Sequence, residues 1–277
     1  MPSVLVIGAS GMLGSQVFLE ARRRHGAAAH GTYRMPRARL APSAQLHRVD
    51  LENTGPIASL VRRLEPSALI NCAGIVRGIC ADERQATAIN TELPHYLERL
   101  ADETGARLIH VSTDCVFSGK KGDYRETDTP DPTDLYSRTK LSGEVRGTRH
   151  LTVRSSFIGF ELETRRGLLE WFLAQKGRVR GFRGAVWSGL TTPALARLLL
   201  DLAARGEVSD LLHVSGERLS KYDLLTRLAR VFKKTDVTIE PVDEPRVDMS
   251  LNAEWLGSLG VRVPPMDAML EELGKAA

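Results

Sequence analysis

The sequence is poor in several residue types that mark special classes of protein. Its 277 residues include only three cysteines, and aromatic residues make up 5% of the chain. Cys72, Cys80 and Cys115 have neither the paired spacing of a zinc site nor the number that a disulfide framework needs. No apolar run approaches the roughly 20 residues of a membrane span. We therefore expect a protein of the reducing cytoplasm, without a signal peptide, because the N-terminus leads directly into a strand.

Charge and histidine patterning exclude two further classes. The formal net charge is +4, but the few aromatic residues leave no basic face interleaved with aromatics, so we expect no nucleic-acid partner. The seven histidines are scattered and no carboxylate cluster accompanies them, so we expect no catalytic metal. A hydrophobic content of 42% is typical of a globular domain. A modest positive charge suits small anionic ligands.

The opening segment carries the most informative pattern. A short apolar run, Val4–Ile7, leads to Gly8, Gly11 and Gly14, and an amphipathic segment follows. This order predicts a buried parallel strand, a tight turn and a helix N-terminus. Such a turn binds the pyrophosphate of a dinucleotide through free backbone N–H groups and the helix dipole. A tight turn without a ligand is the alternative.

Strand-like and helix-like segments alternate along the first 160 residues. After residues 4–7, strands are predicted at 27–33, 45–49, 68–72, 107–112 and 150–156, and helices at 57–64, 81–104 and from Tyr136 onward. This alternation predicts an α/β fold, a doubly wound parallel sheet of the Rossmann type. Further helices are predicted at 168–176, 193–205 and 221–232, with short strands near 211–215 and 237–241. We therefore expect a nucleotide-binding domain at 1–160 and a smaller substrate lobe at 161–277, interleaved with the sheet without a clean linker.

Two polar motifs follow the glycine turn. Tyr136 and Lys140 are four residues apart, so a helix places them on one face, where the ammonium lowers the pKa of the phenol. A tyrosine tuned in this way can act as a general acid or base. Ser112, Thr113 and Asp114 end the strand predicted at 107–112, at the sheet edge where ligands bind. The hydroxyls there either donate to a substrate oxygen or cap the following turn.

Together these motifs resemble the extended short-chain dehydrogenases/reductases. Residues 8–14, 71–74, 112–114 and 136–140 carry the general resemblance. The longer stretches 112–119 and 136–144 resemble the dTDP-4-dehydrorhamnose reductase group more narrowly. The resemblance implies an NAD(P)-dependent oxidoreductase that reduces the 4-keto group of a nucleoside-diphosphate 6-deoxy sugar, in deoxysugar or polysaccharide biosynthesis.

The resemblance also implies roles for individual residues. Tyr136 would give its proton to the carbonyl oxygen, Lys140 would hold the nicotinamide ribose and lower the tyrosine pKa, and Thr113 would orient the carbonyl. The cofactor residues that it implies are Gly8, Ser10, Gly11, Met12, Leu13, Cys72, Ala73, Gly74, Tyr136 and Lys140. The substrate residues are Val76, Asp114, Cys115, Trp187 and Thr191. Cys115 stands where the family has an aromatic residue, which leaves the sugar open.

The choice of nicotinamide cofactor depends on the end of the second strand. Binders of NAD place an acidic residue there, but none occurs at 28–39, where Arg34, Arg37 and Arg39 stand instead. Arginine suits a 2′-phosphate, so we expect NADPH, with NADH as the alternative. Asp50 and Leu51 would contact the adenine, or Asp50 would cap a turn.

Three other functions stay open. An epimerase, or an epimerase that also reduces, would need an additional acid/base pair, for which Cys115 is the sole candidate. A non-catalytic nucleotide-binding regulatory subunit would not need Thr113, Tyr136 and Lys140. A dehydrogenase of a small free ketone would need no large substrate lobe. The expected partner is the nucleotide-sugar substrate, with no membrane partner, and a homodimer is the default oligomeric state.

Overall fold

The chain folds around a central parallel β-sheet with helices on both faces. The structure is a computed structural model that describes residues 3–35, 43–76, 82–162 and 167–275. Its strands, in chain order, are β1 (Val4–Ile7), β2 (Ala29–Tyr33), β3 (Leu46–Arg48), β4 (Ala68–Asn71), β5 (Arg107–Thr113), β6 (Leu151–Ser155), β7 (Phe157–Ile158), β8 (Gly177–Phe182), β9 (Ala185–Trp187), β10 (Leu190–Thr191), β11 (Asp210–His213), β12 (Leu219–Ser220), β13 (Val237–Val242) and β14 (Val247–Asp248).

The helices fill the connections between these strands. They are α1 (Met12–His25), α2 (Thr54–Leu64), α3 (Glu83–Thr87), α4 (Leu93–Thr104), α5 (Leu135–Ser142), α6 (Leu168–Ala174), α7 (Thr192–Ala203), α8 (Lys221–Val231), α9 (Glu254–Ser258) and α10 (Met266–Lys275). Short 3-10 turns occupy Gly26–Ala28 and Asp114–Val116, and a π-helical turn occupies Ala88–Glu92. Across the described ranges, none of these helices combines the length and the apolar character needed to cross a bilayer.

The strand order of the main sheet confirms the predicted doubly wound fold. Within the described residues this sheet has seven strands in the order β11-β6-β5-β4-β1-β2-β3, all paired in parallel. The order reverses between β1 and β4, and ligands bind in such folds at the crevice where this reversal occurs. A strand from beyond residue 160, β11, completes the sheet at one edge.

Alternate side chains of β1 point to opposite faces of the main sheet, and helices cover both faces. Val4 and Val6 pack into the core beneath α1 and α7, whereas Leu5 and Ile7 pack into the core beneath α2 and α4. A strand buried on both faces reads as a continuous apolar run, which is the pattern of β1 in the sequence.

One predicted helix differs from the structure. The segment predicted as a single helix at 81–104 contains a π-helical turn between α3 and α4. Pro94 has no N–H to donate to the carbonyl of Asn90, which favours the wider turn at this place. The predicted strand at 27–33 also begins later, at Ala29, because Gly26–Ala28 forms a 3-10 turn. The other predicted elements lie within a few residues of the observed ones.

Candidate active site

The glycine turn after β1 has the geometry of an anion-binding loop. Gly8 has a φ of +83°, and a Cβ there would lie 2.9 Å from the Ala73 backbone. A Cβ at Gly14 would lie 2.1 Å from the Gly8 carbonyl oxygen, so the third glycine lets α1 pack against the turn. Gly11 caps α1 without a side-chain hydrogen bond, and the first turn of α1 has no acidic residue. Its N–H groups and positive dipole end therefore suit a phosphate.

A cleft of about 200 Å³ opens beside this turn, at the carboxyl ends of β1, β2 and β4. Nine of the predicted cofactor residues line it: Gly8, Ser10, Gly11, Arg34, Asp50, Leu51, Cys72, Ala73 and Gly74. The lining also includes residues that the sequence reasoning missed, namely Thr32, Tyr33, Met35, Glu52, Ile75 and Ile89. The cleft has the position and lining that a dinucleotide would need.

Four predicted cofactor residues are not among those that line the cleft. Leu13 is 3% exposed and packs into the core, so only its backbone faces the turn. The Met12 side chain lies against Gly167, since a Cβ there would be 2.9 Å from the Met12 terminal methyl. Tyr136 and Lys140 lie on α5, beyond the lining of the cleft.

The expected ribose end of the cleft contains opposite charges. Arg34 Nη1 lies 3.8 Å from Glu52 Oε1, and both side chains are exposed. Glu52 also accepts a hydrogen bond from the Gln85 side chain at 2.5 Å. Asp50 Oδ1 accepts from the Glu52 N–H at 3.2 Å, which is the turn-capping role left open above. Arg37 and Arg39 lie outside the described residues.

Helix α5 holds the Tyr–Lys pair against the end of β5. Tyr136 and Lys140 are one turn apart, as the spacing predicts. Lys140 is 4% exposed and donates from Nζ to the Val111 carbonyl oxygen at 2.7 Å. Burial lowers the pKa of Lys140 to about 8, although the charges of Glu144 and Cys72 oppose the shift. A buried, weakly screened ammonium in this position acts strongly on nearby charge.

A buried polar chain connects Lys140 to the cleft. His110 Nε2 lies 3.5 Å from Lys140 Nζ, and His110 Nδ1 lies 3.1 Å from the Asn71 side-chain nitrogen. Asn71 Oδ1 accepts from the Ala73 N–H at 3.1 Å. Burial holds the pKa of His110 well below its ordinary value, so the ring is neutral. Burial likewise raises the pKa of the Cys72 thiol to about 12, which agrees with an unreactive cysteine.

Asn90 joins the cleft to α5. It is fully buried, and its Oδ1 accepts from the Ile75 N–H at 2.8 Å. Its Nδ2 donates to the Ile75 carbonyl oxygen at 3.0 Å and to Thr139 Oγ1 at 3.1 Å. The structure therefore gives Asn90 a positioning role, because one amide fixes both the loop after β4 and the helix that carries Tyr136.

Ser112 and Thr113, the last two residues of β5, form hydrogen bonds with different partners. Ser112 donates to Glu144 Oε1 at 2.8 Å, so its hydroxyl is bound within the interior. Glu144 in turn accepts two hydrogen bonds from Arg154, which is fully buried. Thr113 Oγ1 accepts from the Cys115 N–H at 3.1 Å and donates to Asp114 Oδ1 at 3.2 Å. Thr113 thus caps the following turn.

Lys221, the first residue of α8, carries a charge that acts on this motif, and the sequence reasoning missed it. Lys221 Nζ sits 4.5 Å from the centroid of the Trp187 ring. The Lys221 charge also acts on Asp114, a carboxyl that is 6% exposed and whose pKa burial raises. No local sequence signal marks Lys221, because its neighbours come from distant segments.

The remaining predicted substrate residues differ in exposure. Val76 is 50% exposed, whereas Trp187 is 4% exposed and Thr191 is fully buried. The Trp187 indole N–H and the Thr191 hydroxyl are buried without a hydrogen-bond partner among the described residues. No metal-binding cluster occurs among the residues that the structure describes.

Comparison with other proteins places this chain in a known family. The RmlD substrate binding domain matches residues 2–251. A probable low-salt glycan biosynthesis reductase of Haloferax volcanii is 37% identical over 160 residues, 55% of this chain and 52% of that protein. Methionine adenosyltransferase 2 subunit beta of Bos taurus is 31% identical over 143 residues, 51% of this chain and 41% of that protein. This chain thus matches about half or less of the length of those relatives.

The solved structures agree with the fold. The dTDP-4-dehydrorhamnose reductase of Bacillus anthracis, in complex with NADP, superposes with a TM-score of 0.82 at 19% identity, over 100% of both chains. The predicted family resemblance is supported by the family model, and the solved structure confirms the fold. The chain belongs to the RmlD substrate binding domain family.

Proposed function

We propose that the protein is an NADPH-dependent reductase of the 4-keto group of a nucleoside-diphosphate 6-deoxy sugar, acting in deoxysugar or polysaccharide biosynthesis. The observation that carries the proposal is the buried ammonium of Lys140, one helical turn from Tyr136 on the helix that packs beside Thr113. Cys72 and Cys115 are not joined in a disulfide, which suits the reducing cytoplasm, where we place the enzyme.

The chain's own residues fit the expected cofactor. The N–H groups at the start of α1, which no side chain of the N-cap residue binds, suit a pyrophosphate, and Arg34 suits a 2′-phosphate. The nicotinamide, when bound, supplies the hydride for the carbonyl carbon. NADH stays an alternative because Glu52, 3.8 Å from Arg34, can accept from a ribose hydroxyl instead.

The proposed chemistry assigns the proton to Tyr136. Its phenol gives a proton to the sugar carbonyl oxygen as the carbon is reduced, which yields the alcohol. Lys140 stabilises the phenolate that remains, because its charge lies in buried surroundings. Thr113 donates to the same oxygen, for which its hydroxyl must leave Asp114 Oδ1. The predicted substrate residues Val76, Asp114, Cys115, Trp187 and Thr191 would contact the sugar nucleotide.

The test is NADPH oxidation by the purified protein with dTDP-, UDP- and GDP-linked 4-keto-6-deoxy sugars. We expect turnover with one of them and its loss in Tyr136→Phe, with NADPH affinity retained. Tyr96→Phe, which removes a phenol hydroxyl from α4, is the matched control and should keep full activity. Equal turnover in Tyr136→Phe and the wild type would refute the catalytic assignment.

A second candidate is a non-catalytic regulatory subunit. It is favoured by the 31% identity to a protein named as subunit beta of methionine adenosyltransferase 2. NADPH binding without turnover of any sugar would support this alternative.

An epimerase that also reduces the sugar would need a second acid/base group beside Cys115. Lys221 is a group whose charge acts on that thiol. Solvent deuterium appearing at the carbon next to the ketone would support the epimerase.

A further inference from the structure

Lys221 is held in the site by backbone structure and is not a freely moving surface side chain. β12 pairs antiparallel with β9, with Leu219 opposite Trp187. The hydroxyl of Ser220 then caps α8 by accepting from the Asp223 N–H at 3.0 Å, and Lys221 is the first helical residue. The pairing of β12 with β9 and the Ser220 cap fix the backbone at Lys221. The Lys221 ammonium lies over the Trp187 ring, 4.5 Å from its centroid.

The charge of Lys221 acts on the carboxylate of Asp114, and the described residues show no ion pair between the two side chains. Asp114 accepts hydrogen bonds from the side chains of Thr113, Cys115 and Ser156, and the charge of Lys221 favours its ionised form. Within the described ranges, however, Lys221 forms no ion pair and donates no hydrogen bond to protein oxygen; the Trp187 ring is its contact. An ammonium has three N–H donors, and leaving them unsatisfied in partly buried surroundings is costly.

A sugar hydroxyl has the donor and the acceptor needed to bridge two such groups. A hydroxyl donates one hydrogen bond and accepts others, so it can donate to the Asp114 carboxylate while it accepts from the Lys221 ammonium. Asp114 is bonded to Thr113, the residue assigned to the carbonyl oxygen. A hydroxyl between Asp114 and Lys221 would therefore belong to a carbon close to the ketone.

On this geometry, and building on the proposed function, we propose that Lys221 is a substrate-binding residue that donates to a sugar hydroxyl near the reacting carbonyl, opposite Asp114. Trp187 then serves to hold the ammonium through its ring face. The second lobe thereby supplies a positive group to the pocket, and the sugar is recognised across the junction of β5 with α8.

The test compares Lys221→Met, which removes the charge but keeps the chain length, with Lys221→Arg, which keeps the charge and the donors. Lys275→Met, at an exposed lysine of α10, is the matched control. The probes are dTDP-glucose, UDP-glucose and GDP-mannose, titrated calorimetrically in the presence of NADP⁺. The KM and kcat for a keto sugar that turns over are measured in parallel.

We expect Lys221→Met to raise the Kd of the bound sugar nucleotide and the KM about 10-fold or more, since a hydrogen bond to a charged group is lost. The Kd of NADPH, which also reports correct folding, should stay within about 2-fold, because Lys221 is not among the residues lining the cofactor cleft. Lys221→Arg should restore most of the sugar affinity. An acid/base role would not survive this replacement, because arginine does not release its proton.

Equal sugar affinity in the wild type and Lys221→Met would overturn the proposal, as would an arginine variant that binds no better than methionine. A wild type that binds none of the three probes would overturn it too. The proposed reductase activity has its own test: it would be refuted if the wild type bound a sugar nucleotide but reduced none. Turnover with an unchanged KM in Lys221→Met would leave the reductase standing and remove Lys221 from the pocket.

Discussion

The buried ammonium of Lys140 should cost folding stability at neutral pH, and replacing it should reveal that cost. Lys140 is 4% exposed, and its pKa falls from an ordinary 10.5 to about 8 because burial disfavours the charged form. Each unit of pKa shift corresponds to about 1.4 kcal/mol, so the charged side chain opposes folding by about 3 kcal/mol. Loss of the hydrogen bond to Val111 offsets part of this. We therefore expect Lys140→Met to be about 1–2 kcal/mol more stable than the wild type near pH 7.

The sign of the pH dependence follows from which state loses its proton first. Below about pH 8 Lys140 is protonated in both the folded and the unfolded chain, and the folded state carries the full penalty. Between that pKa and 10.5 the folded state releases its proton while the unfolded state retains it, so wild-type stability rises with pH. Methionine does not titrate. The advantage of the variant should therefore shrink by about 2 kcal/mol between about pH 7 and pH 9.5.

Urea denaturation at both pH values, followed by far-UV circular dichroism, measures this difference. Lys275→Met changes an exposed lysine and should show no such pH dependence. Turnover should be lost in Lys140→Met at either pH, since the methionine cannot stabilise the phenolate of Tyr136. A stability difference between Lys140→Met and the wild type that stays constant with pH would refute the reasoning.

Three further changes probe the rest of the structure. Arg154→Met should lower the free energy of unfolding in urea by about 3–5 kcal/mol, because Glu144 stays charged and buried but loses the buried guanidinium that binds both of its oxygens. Arg34→Ala should weaken NADPH binding about 10-fold or more in fluorescence titrations and NADH binding less than about 3-fold, since a 2′-phosphate loses a charge-assisted contact. Gly143→Ala should reduce turnover and thermal stability, by about 1–3 kcal/mol, because its Cβ would approach the Asn90 carbonyl oxygen and displace α5.

Each of these changes has a control and a contrary result. Adding Glu144→Gln to the Arg154 variant should recover part of its stability, and no recovery would contradict the buried-charge argument. Arg62→Ala removes an exposed arginine paired with Glu103 and should leave both cofactors unaffected. Equal losses for NADPH and NADH in the Arg34 variant would remove the phosphate argument. Gly257→Ala, where a Cβ meets open space, should melt like the wild type.

Features that depend on local sequence patterns were predicted correctly. Strand β1 and the turn at Gly8 were predictable because a buried run and glycine spacing are local patterns. The α5 placement of Tyr136 and Lys140 was predictable for the same reason. The orientation of Ser112 was not, because its partner Glu144 lies far along the chain, in the loop after α5.

The doubly wound fold, the glycine turn and the Tyr–Lys spacing could be predicted from local sequence patterns, because backbone periodicity and conformational preference act over a few neighbouring residues. Tertiary packing was needed to show that Glu52 faces Arg34, that Asn90 holds α5, and that the charge of Lys221 acts on Asp114. Those contacts depend on how distant segments pack, and a side chain's burial and charge partners are set there rather than in its own segment.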